Sequence, residues 1–250
     1  MNRVVLVTGA TGGVGRGIAL ACGAAGWTVW IAARRDIEGA EVAAEVTALG
    51  GHGRFVHCEA SDPTSMREAV AGVIAYDGAL HGVVANATSG LSPRPGAVGE
   101  VTLADLHDHV SVSLRGTYLL AAEAGPHLRA TGGALLVLTS EAGFEGKAKL
   151  PTYAAVKAAQ RGLVRALARE WGPAGVRVNA LGPLAATPAM VEAFERDPAM
   201  AERVLGRSPM GRLGDAATEI GPVARFLLGP DAAFVTGVTV MADGGSCSIS

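Results

Sequence analysis

Two residues in the second half of the chain, Tyr153 and Lys157, have side chains that could move a proton. They are four positions apart in a predicted helix that runs to about Trp171, so they lie on one helix face, one turn apart. An ammonium group beside a phenol favours the phenolate and lowers its pKa, which would make Tyr153 a proton donor or acceptor near neutral pH. The spacing alone is weak, because any helix can contain it by chance.

A third candidate, Ser140, follows a predicted strand over Ala134 to Thr139. Ligands of open α/β sheets bind at the carboxyl ends of strands, which is where Ser140 is placed. Its hydroxyl could orient a substrate carbonyl against the Tyr153 phenol. Glu141 comes next and is interpreted as a solvated loop carboxylate, with an orientation into the pocket as the alternative.

A glycine-rich turn near the N-terminus could bind a phosphate. The apolar run Val4 to Val7 leads through Thr8 into Gly9, Gly13 and Gly15. Glycines let bare backbone approach a ligand, and the helix that follows directs its unpaired N–H groups at the turn. The alternative is an ordinary strand–helix turn in a chain with 35 glycines. Its position directly after the first strand favours a nucleotide site.

The next predicted strand, Trp27 to Ala33, is followed by Arg34 and Arg35. In a dinucleotide-binding unit an acidic residue here accepts from the 2′-hydroxyl of NAD, whereas arginine can hold the 2′-phosphate of NADP. NADP is therefore favoured over NAD. The alternative is that the two arginines form a solvated helix start.

Strand and helix patterns alternate along the rest of the chain, which predicts a doubly wound parallel α/β sheet. Asp62 before Pro63 is typical of a helix N-cap. The further predicted elements are a helix from Asp36 closed by Gly50 to Gly53, a strand over Arg54 to Ala60, a helix through Tyr76, a strand over Leu80 to Thr88, a loop over Ser89 to Gly99 and a long helix over Leu103 to Ala130.

Composition restricts the classes of partner. The 250 residues are 49% hydrophobic with a net charge of −2, which favours one folded domain over residues 1–250. Balanced charge gives no reason to expect nucleic acid or an acidic membrane surface as a partner. No apolar run has membrane-spanning length, and three widely spaced cysteines fit reduced thiols, so a cytoplasmic location is predicted. The histidine spacing predicts no metal site.

Together these features resemble the short-chain dehydrogenase/reductase family over nearly the whole chain. The motifs that carry the resemblance are Thr8-Gly9-x-x-x-Gly13-x-Gly15, Ser140 ahead of Tyr153-x-x-x-Lys157, Arg177-Val178-Asn179-Ala180-Leu181-Gly182-Pro183, Pro209-Met210-Gly211-Arg212-Leu213-Gly214, Thr236-Gly237 and Ala242-Asp243-Gly244-Gly245. The resemblance implies a single-domain Rossmann-type fold, a nicotinamide cofactor and an oxidoreductase activity, with a leaning towards 3-oxoacyl-carrier-protein reductases.

The resemblance also implies roles for individual residues. Tyr153 would be the general acid/base, Lys157 would lower its pKa and hold the nicotinamide ribose, and Ser140 would position the substrate carbonyl. Ser113 stands where the family has an asparagine that holds a water of the proton relay. The residues expected to contact the cofactor are Gly9, Thr11, Gly12, Gly13, Val14, Gly15, Arg34, Arg35, Glu59, Ala60, Asn86, Ala87, Thr88, Tyr153, Lys157, Pro183 and Thr187.

The chain departs from the family pattern after the fourth strand, where Asn-Asn-Ala-Gly reads Ala85-Asn86-Ala87-Thr88, and at Glu59, which replaces an aspartate that addresses the adenine. Residues 187–208 correspond to the family's substrate-covering segment and predict an amphipathic lid or, alternatively, a packing helix. The helices over 103–130 and 153–171 pair subunits in the family, which predicts a homo-oligomer, either a tetramer or a dimer.

The sequence therefore predicts an NADP-dependent oxidoreductase that interconverts a ketone or 3-oxoacyl group and a secondary alcohol, a small-molecule substrate. One alternative is a cofactor-binding sensor or scaffold with weakened catalysis, which the changed loop at Asn86 and the change at Ser113 would permit. Another alternative keeps the enzyme class with NAD as cofactor.

Overall fold

Alternate residues of the first apolar run face opposite sides of a single sheet, and apolar layers cover both sides. In β1 (Val4–Thr8), Leu6 belongs to one buried cluster, whereas Val5 and Val7 belong to the other. A parallel sheet covered on two faces has no solvent side, which is why the strand is an unbroken apolar run.

Within residues 3–90 and 95–247, which the computed structural model describes, all seven strands form one parallel sheet in the order β3-β2-β1-β4-β5-β6-β7. The strands after β1 are β2 (Thr28–Ala33), β3 (His52–His57), β4 (Gly82–Ala85), β5 (Ala134–Leu138), β6 (Arg177–Pro183) and β7 (Thr239–Ala242). The predicted doubly wound parallel sheet is confirmed.

Helices connect these strands and cover the sheet. They are α1 (Gly13–Gly23), α2 (Asp36–Ala48), α3 (Pro63–Asp77), α4 (Leu103–His109), α5 (Gly116–Thr131), α6 (Ala142–Glu145), α7 (Pro151–Trp171), α8 (Pro188–Arg196), α9 (Pro198–Arg207) and α10 (Gly221–Leu228). Asp62 caps α3 as predicted, because its side chain accepts a hydrogen bond from the backbone N–H of Thr64.

The strand order reverses beside β1, which pairs with β2 on one side and with β4 on the other. Val7 lies opposite Ile31 of β2 and Val84 of β4. The segments that leave the carboxyl ends of β1 and β4 therefore diverge above the sheet, and a crevice at such a switch point is the usual ligand site of this fold class.

Two predicted strand boundaries are wrong. The predicted strand Arg54 to Ala60 is β3 at His52–His57, and Gly53 lies inside it. A Cβ on Gly53 would stand 1.8 Å from the carbonyl oxygen of Ala43, so this glycine allows α2 to pack on the sheet. The predicted strand Leu80 to Thr88 is shortened to β4, four residues long.

The predicted helix over Leu103 to Ala130 is divided by a π-helical segment, Val110–Arg115, between α4 and α5. A π segment widens one turn of a helix and frequently occurs at functional sites. Part of the predicted loop over Ser89 to Gly99, residues 91–94, lies outside the described residues. Among the helices that the structure does describe, none is long and apolar enough to cross a lipid bilayer.

Candidate active site

Ser140, Tyr153 and Lys157 come together at the carboxyl end of β5. Ser140 lies two residues beyond the end of β5, and α7 begins at Pro151, so Tyr153 is in its first turn. The hydroxyl of Ser140 lies close enough to the Tyr153 phenol to influence its pKa. Lys157 follows one turn later, with Nζ 5.6 Å from the centroid of the Tyr153 ring. The predicted neighbourhood of these three side chains is present in the structure.

Close packing between β5, the loop after it and α7 sets the position of this group. Thr139 Oγ1 donates to the carbonyl oxygen of Lys157 over 3.2 Å. Gly143, in α6, lies so near α7 that a Cβ on it would be 2.7 Å from the carbonyl carbon of Lys157. Contacts to the backbone of Lys157 therefore hold α7, the helix that carries Tyr153, against the end of β5.

Lys157 is buried, with 5% of its surface exposed. Its ammonium donates to the carbonyl oxygen of Leu138 over 2.8 Å and to Oε1 of Gln160 over 3.1 Å. Burial penalises the charged form and lowers the pKa of Lys157 to about 8. The two acceptors thus fix the position of the ammonium group, and its pKa lies within about one unit of neutral pH.

The pKa of Tyr153 is shifted in the opposite direction to the predicted one. Burial raises the pKa of its phenol above the ordinary value, and the carboxylate of Glu141 acts in the same direction. The prediction of a lowered pKa is wrong in this structure, because burial of the phenol outweighs any effect of the Lys157 ammonium, which is directed at Leu138 and Gln160. The phenol is therefore held in its protonated form at neutral pH.

Glu141 is part of the site, so its interpretation as a solvated loop carboxylate is wrong. Ser140 Oγ donates to Glu141 Oε2 over 2.5 Å, and Lys147 Nζ donates to Oε1 over 2.9 Å. Burial opposes ionisation, yet these hydrogen bonds and the charge of Lys147 keep the pKa of Glu141 below its ordinary value. The site therefore holds a carboxylate beside the serine.

Asn86 links the end of β4 to the glycine turn after β1. Its Nδ2 donates to the carbonyl oxygens of Thr8 and Gly9, each over 3.0 Å, and its backbone N–H donates to Thr8 Oγ1 over 3.1 Å. A Cβ on Gly15 would be 2.4 Å from that Nδ2, so the turn and Asn86 fit only with glycine there. The side-chain amide of Asn86 therefore holds the glycine turn in position through hydrogen bonds to its backbone.

The outer face of the turn is open. Gly13 has a φ of +53°, which favours glycine, and Gly12 is extended with nothing within 4 Å of an added Cβ. The backbone of Gly12 can thus be approached by a ligand, and α1 begins directly behind it. These features fit the pyrophosphate of a dinucleotide.

The two arginines after β2 reach the rim of this turn. Arg35 Nη2 donates to Thr11 Oγ1 over 2.5 Å. Arg34 Nη1 lies 3.4 Å from Glu59 Oε2, and Glu59 also accepts hydrogen bonds from Ser61. Burial opposes the charge on Glu59, but these contacts hold its pKa below the ordinary value. The structure thus places the predicted cationic pair and the predicted adenine-side carboxylate together.

The other predicted residues lie around the same crevice. Thr187 caps α8 and lies over the turn, since a Cβ on Gly13 would be 3.3 Å from its Cγ2. Ser113 is fully buried in the π segment, and its Oγ lies 3.0 Å from Thr88 Oγ1. The remaining predicted contacts are Val14 in the first turn of α1, Ala60 after β3, Ala87 after β4 and Pro183 at the end of β6.

Sequence reasoning did not single out Gln160, which contacts Lys157. A signal was available, because an amide three positions after Lys157 shares its helix face on an otherwise apolar side of α7. Its buried amide also reaches Ser113 in the π segment.

Comparisons with known proteins agree with this geometry. Residues 9–247 match the family model described as enoyl-(acyl carrier protein) reductase. A 2-dehydro-3-deoxy-D-gluconate 5-dehydrogenase of Pseudoalteromonas atlantica is 34% identical, over 98% of this chain and 95% of that protein. A 3-oxoacyl-[acyl-carrier-protein] reductase of Staphylococcus aureus is 30% identical, over 98% of both chains.

Solved structures give the same result. A putative short-chain alcohol dehydrogenase of Sinorhizobium meliloti superposes with a TM-score of 0.92 at 32% identity, over 98% of this chain and 97% of that one. A 3-ketoacyl-(acyl-carrier-protein) reductase of Brucella melitensis complexed with NADH gives 0.89 at 29% identity, over 98% of each chain. The chain belongs to the short-chain dehydrogenase/reductase family and is an NAD(P)-dependent oxidoreductase.

Proposed function

We propose that this protein is an NADP-dependent enzyme that interconverts a ketone and a secondary alcohol, with Tyr153 as its general acid/base. The observation that carries the proposal is the convergence of Ser140, Tyr153 and Lys157 at the end of β5, with the Ser140 hydroxyl beside the Tyr153 phenol. If the Ser140 hydroxyl turns its single proton from Glu141 to the substrate, it and the protonated phenol can bind one carbonyl oxygen from two directions.

The cofactor would lie on the open face of the glycine turn, with Arg34 and Arg35 directed at a 2′-phosphate and Glu59 on the adenine side. Thr187 and Pro183 lie where the nicotinamide end would be held. When bound, the nicotinamide supplies a hydride to the carbonyl carbon or accepts one from the alcohol carbon. The protein's own share of the chemistry is orientation and proton transfer.

In the reductive direction Ser140 orients the carbonyl oxygen and Tyr153 donates its proton to that oxygen. Burial keeps the phenol protonated at neutral pH, which suits a proton donor. Lys157, one turn further along α7, stabilises the phenolate that remains by its positive charge. In the oxidative direction the same phenolate removes the hydroxyl proton, so alkaline pH favours oxidation.

Substrate would enter beneath α8 and α9, which we propose form a lid over 187–208. Arg207 at the end of α9 forms an ion pair with Glu145 of α6, so the lid is tied to the loop that carries Glu141. Relatives named 2-dehydro-3-deoxy-D-gluconate 5-dehydrogenase, cyclohexanol dehydrogenase and 3-oxoacyl-[acyl-carrier-protein] reductase support a carbonyl or alcohol substrate class.

We also propose that the protein is a cytoplasmic homo-oligomer, a dimer or tetramer. Tyr118 on α5 and Val110 in the π segment are exposed side chains on the long helix that the family resemblance implies for subunit pairing. Cys22, Cys58 and Cys247 are free thiols in the described chain, which is consistent with a reducing compartment. Light scattering of the purified protein measures the oligomeric state.

The test of the proposed function is a parallel fluorescence titration with NADPH and NADH, followed by assays on a panel of ketones. Tighter NADPH binding and turnover that Tyr153→Phe abolishes, with cofactor affinity retained, would support the proposal. Tyr76→Phe removes an exposed hydroxyl and serves as the control. Tighter binding of NADH would mean that the cofactor is NAD and not NADP. If the protein binds neither NADPH nor NADH, a non-catalytic role would be favoured.

A further inference from the structure

A chain of buried polar groups crosses the contact between α7 and the π segment. Gln160 is at its centre, with 1% of its surface exposed. Its Oε1 accepts from Lys157 Nζ over 3.1 Å, and its Nε2 donates to the carbonyl oxygen of Ser113 over 3.0 Å and to Thr117 Oγ1 over 2.9 Å. Both the oxygen and the nitrogen of this amide are hydrogen-bonded. A buried polar atom without a partner would lower the stability of the fold.

The hydrogen-bond chemistry decides which way this amide points. Thr117 Oγ1 donates its single proton to the carbonyl oxygen of Ser113, 2.7 Å away. Both of these groups can then only accept from Gln160, so its NH₂ must face them. Its carbonyl oxygen is thereby turned towards Lys157, where it can accept from an ammonium.

Lys157 is consequently held from two sides, by the carbonyl oxygen of Leu138 and by Gln160. Both partners are neutral acceptors that favour the charged form of the lysine, against the burial that disfavours it. The titratable groups on the other sides are Tyr153, whose ring centroid is 5.6 Å from Nζ, and beyond that ring His109 and Glu141.

We propose that Gln160 is a positioning residue that orients the Lys157 ammonium and sets its protonation equilibrium by anchoring it to the π segment. The inference rests on the proposed function for its catalytic meaning, because Lys157 acts there through Tyr153. The anchor itself is a property of the folded chain. Burial lowers the pKa of Lys157 to about 8, so a change in one acceptor alters its charge within the working range of pH.

The chain offers a direct measurement, because it contains three lysines, Lys147, Lys149 and Lys157. In protein labelled with ¹³C and ¹⁵N in lysine, each lysine gives one signal that correlates Nζ with Cε, so at most three are expected, and Lys157→Met identifies the one that belongs to the site. The titration is done on the full chain without added cofactor. It therefore reads the pKa of Lys157 independently of turnover.

Two substitutions of Gln160 should move this pKa in opposite directions. Gln160→Glu places a carboxylate beside the ammonium and should raise the pKa by about one to three units. Gln160→Met keeps the length of the side chain but removes the acceptor, and should lower the pKa by about one unit. Val164→Ala, one turn further on the buried face of α7, is a control for lost packing and should leave the pKa unchanged.

Opposite shifts in folded variants would support the anchor. An unchanged pKa in both variants, or a shift that Val164→Ala reproduces, would overturn it. If Gln160→Glu does not fold, Gln160→Asn replaces it, and the criterion becomes a lowered pKa in both Gln160→Asn and Gln160→Met, with an unchanged pKa overturning the anchor. Absence of turnover in the unaltered protein would count against the proposed function and would leave this titration valid.

Discussion

The hydroxyl of Ser140 and the carboxylate of Glu141 are joined by a short hydrogen bond, with 2.5 Å between Oγ and Oε2. The bond directs the serine proton at the carboxylate, and the negative charge raises the pKa of Tyr153. The residue next to the serine therefore influences the proton chemistry of the site.

Glu141→Gln should lower the pKa of Tyr153, because it removes a nearby negative charge that acts together with burial to raise it. Reduction needs the protonated phenol, so its rate falls as pH rises through this pKa. The alkaline limb of the kcat profile should thus move to lower pH. Glu170→Gln, which removes an exposed carboxylate at the far end of α7, is the control. A limb that stays in place or moves to higher pH would contradict the prediction.

Arg35→Ala should weaken NADPH binding by about ten- to a hundredfold, as expected for one lost charge-assisted hydrogen bond. NADH has no 2′-phosphate, so its affinity should change little. Arg34→Ala should act in the same direction, and Arg196→Ala, on the surface of α8, should affect neither cofactor. Titrations with both cofactors measure the ratio. Equal losses for NADPH and NADH would mean that Arg35 supports the turn through Thr11 and does not bind a phosphate.

Gly12 and Gly13 should respond differently to alanine. Gly13→Ala forces a side chain into φ +53° against Thr187 Cγ2 at 3.3 Å, and should cost about 1–2 kcal/mol of unfolding free energy. Gly12→Ala meets nothing within 4 Å and should leave stability nearly unchanged, yet its methyl group would project into the proposed cofactor space. Urea unfolding and NADPH titration of each variant separate the two effects. Greater destabilisation by Gly12→Ala would show that the turn is built differently.

The buried ammonium of Lys157 should make stability depend on pH. Its pKa is about 8 in the folded chain against 10.5 for the ordinary group, so between these values the unfolded chain binds a proton that the folded chain does not. Stability from this group therefore rises with pH across that window, by up to about 3 kcal/mol. Lys157→Met should lack this rise.

The comparison of the two proteins isolates the lysine. Cys58 and Cys22, whose pKa values burial raises to about 11 and about 12, are present in both and cancel in the difference. Urea unfolding at several pH values between 8 and 10.5 gives that difference directly. A difference that is constant with pH would mean that Lys157 titrates alike in the folded and unfolded chains.

Much of the fold could be predicted from the chain, because its signals are local. Unbroken apolar runs indicated strands covered on both faces, and the N-cap at Asp62 marked the start of α3. Glycines were harder to interpret. Gly53 looked like part of a helix end, but it lies inside β3 and makes room for Ala43 of α2, a contact that spacing along the chain does not reveal.

The sequence by itself determined the α/β class, the turn that would hold a dinucleotide and the grouping of Ser140, Tyr153 and Lys157. Tertiary structure decided what these groups contact and how they titrate. Lys157 turns to Gln160 and the carbonyl of Leu138, and Tyr153 acquires a raised pKa. Hydrogen-bond partners and desolvation depend on which elements pack together, and that information is not contained in the local order of residues.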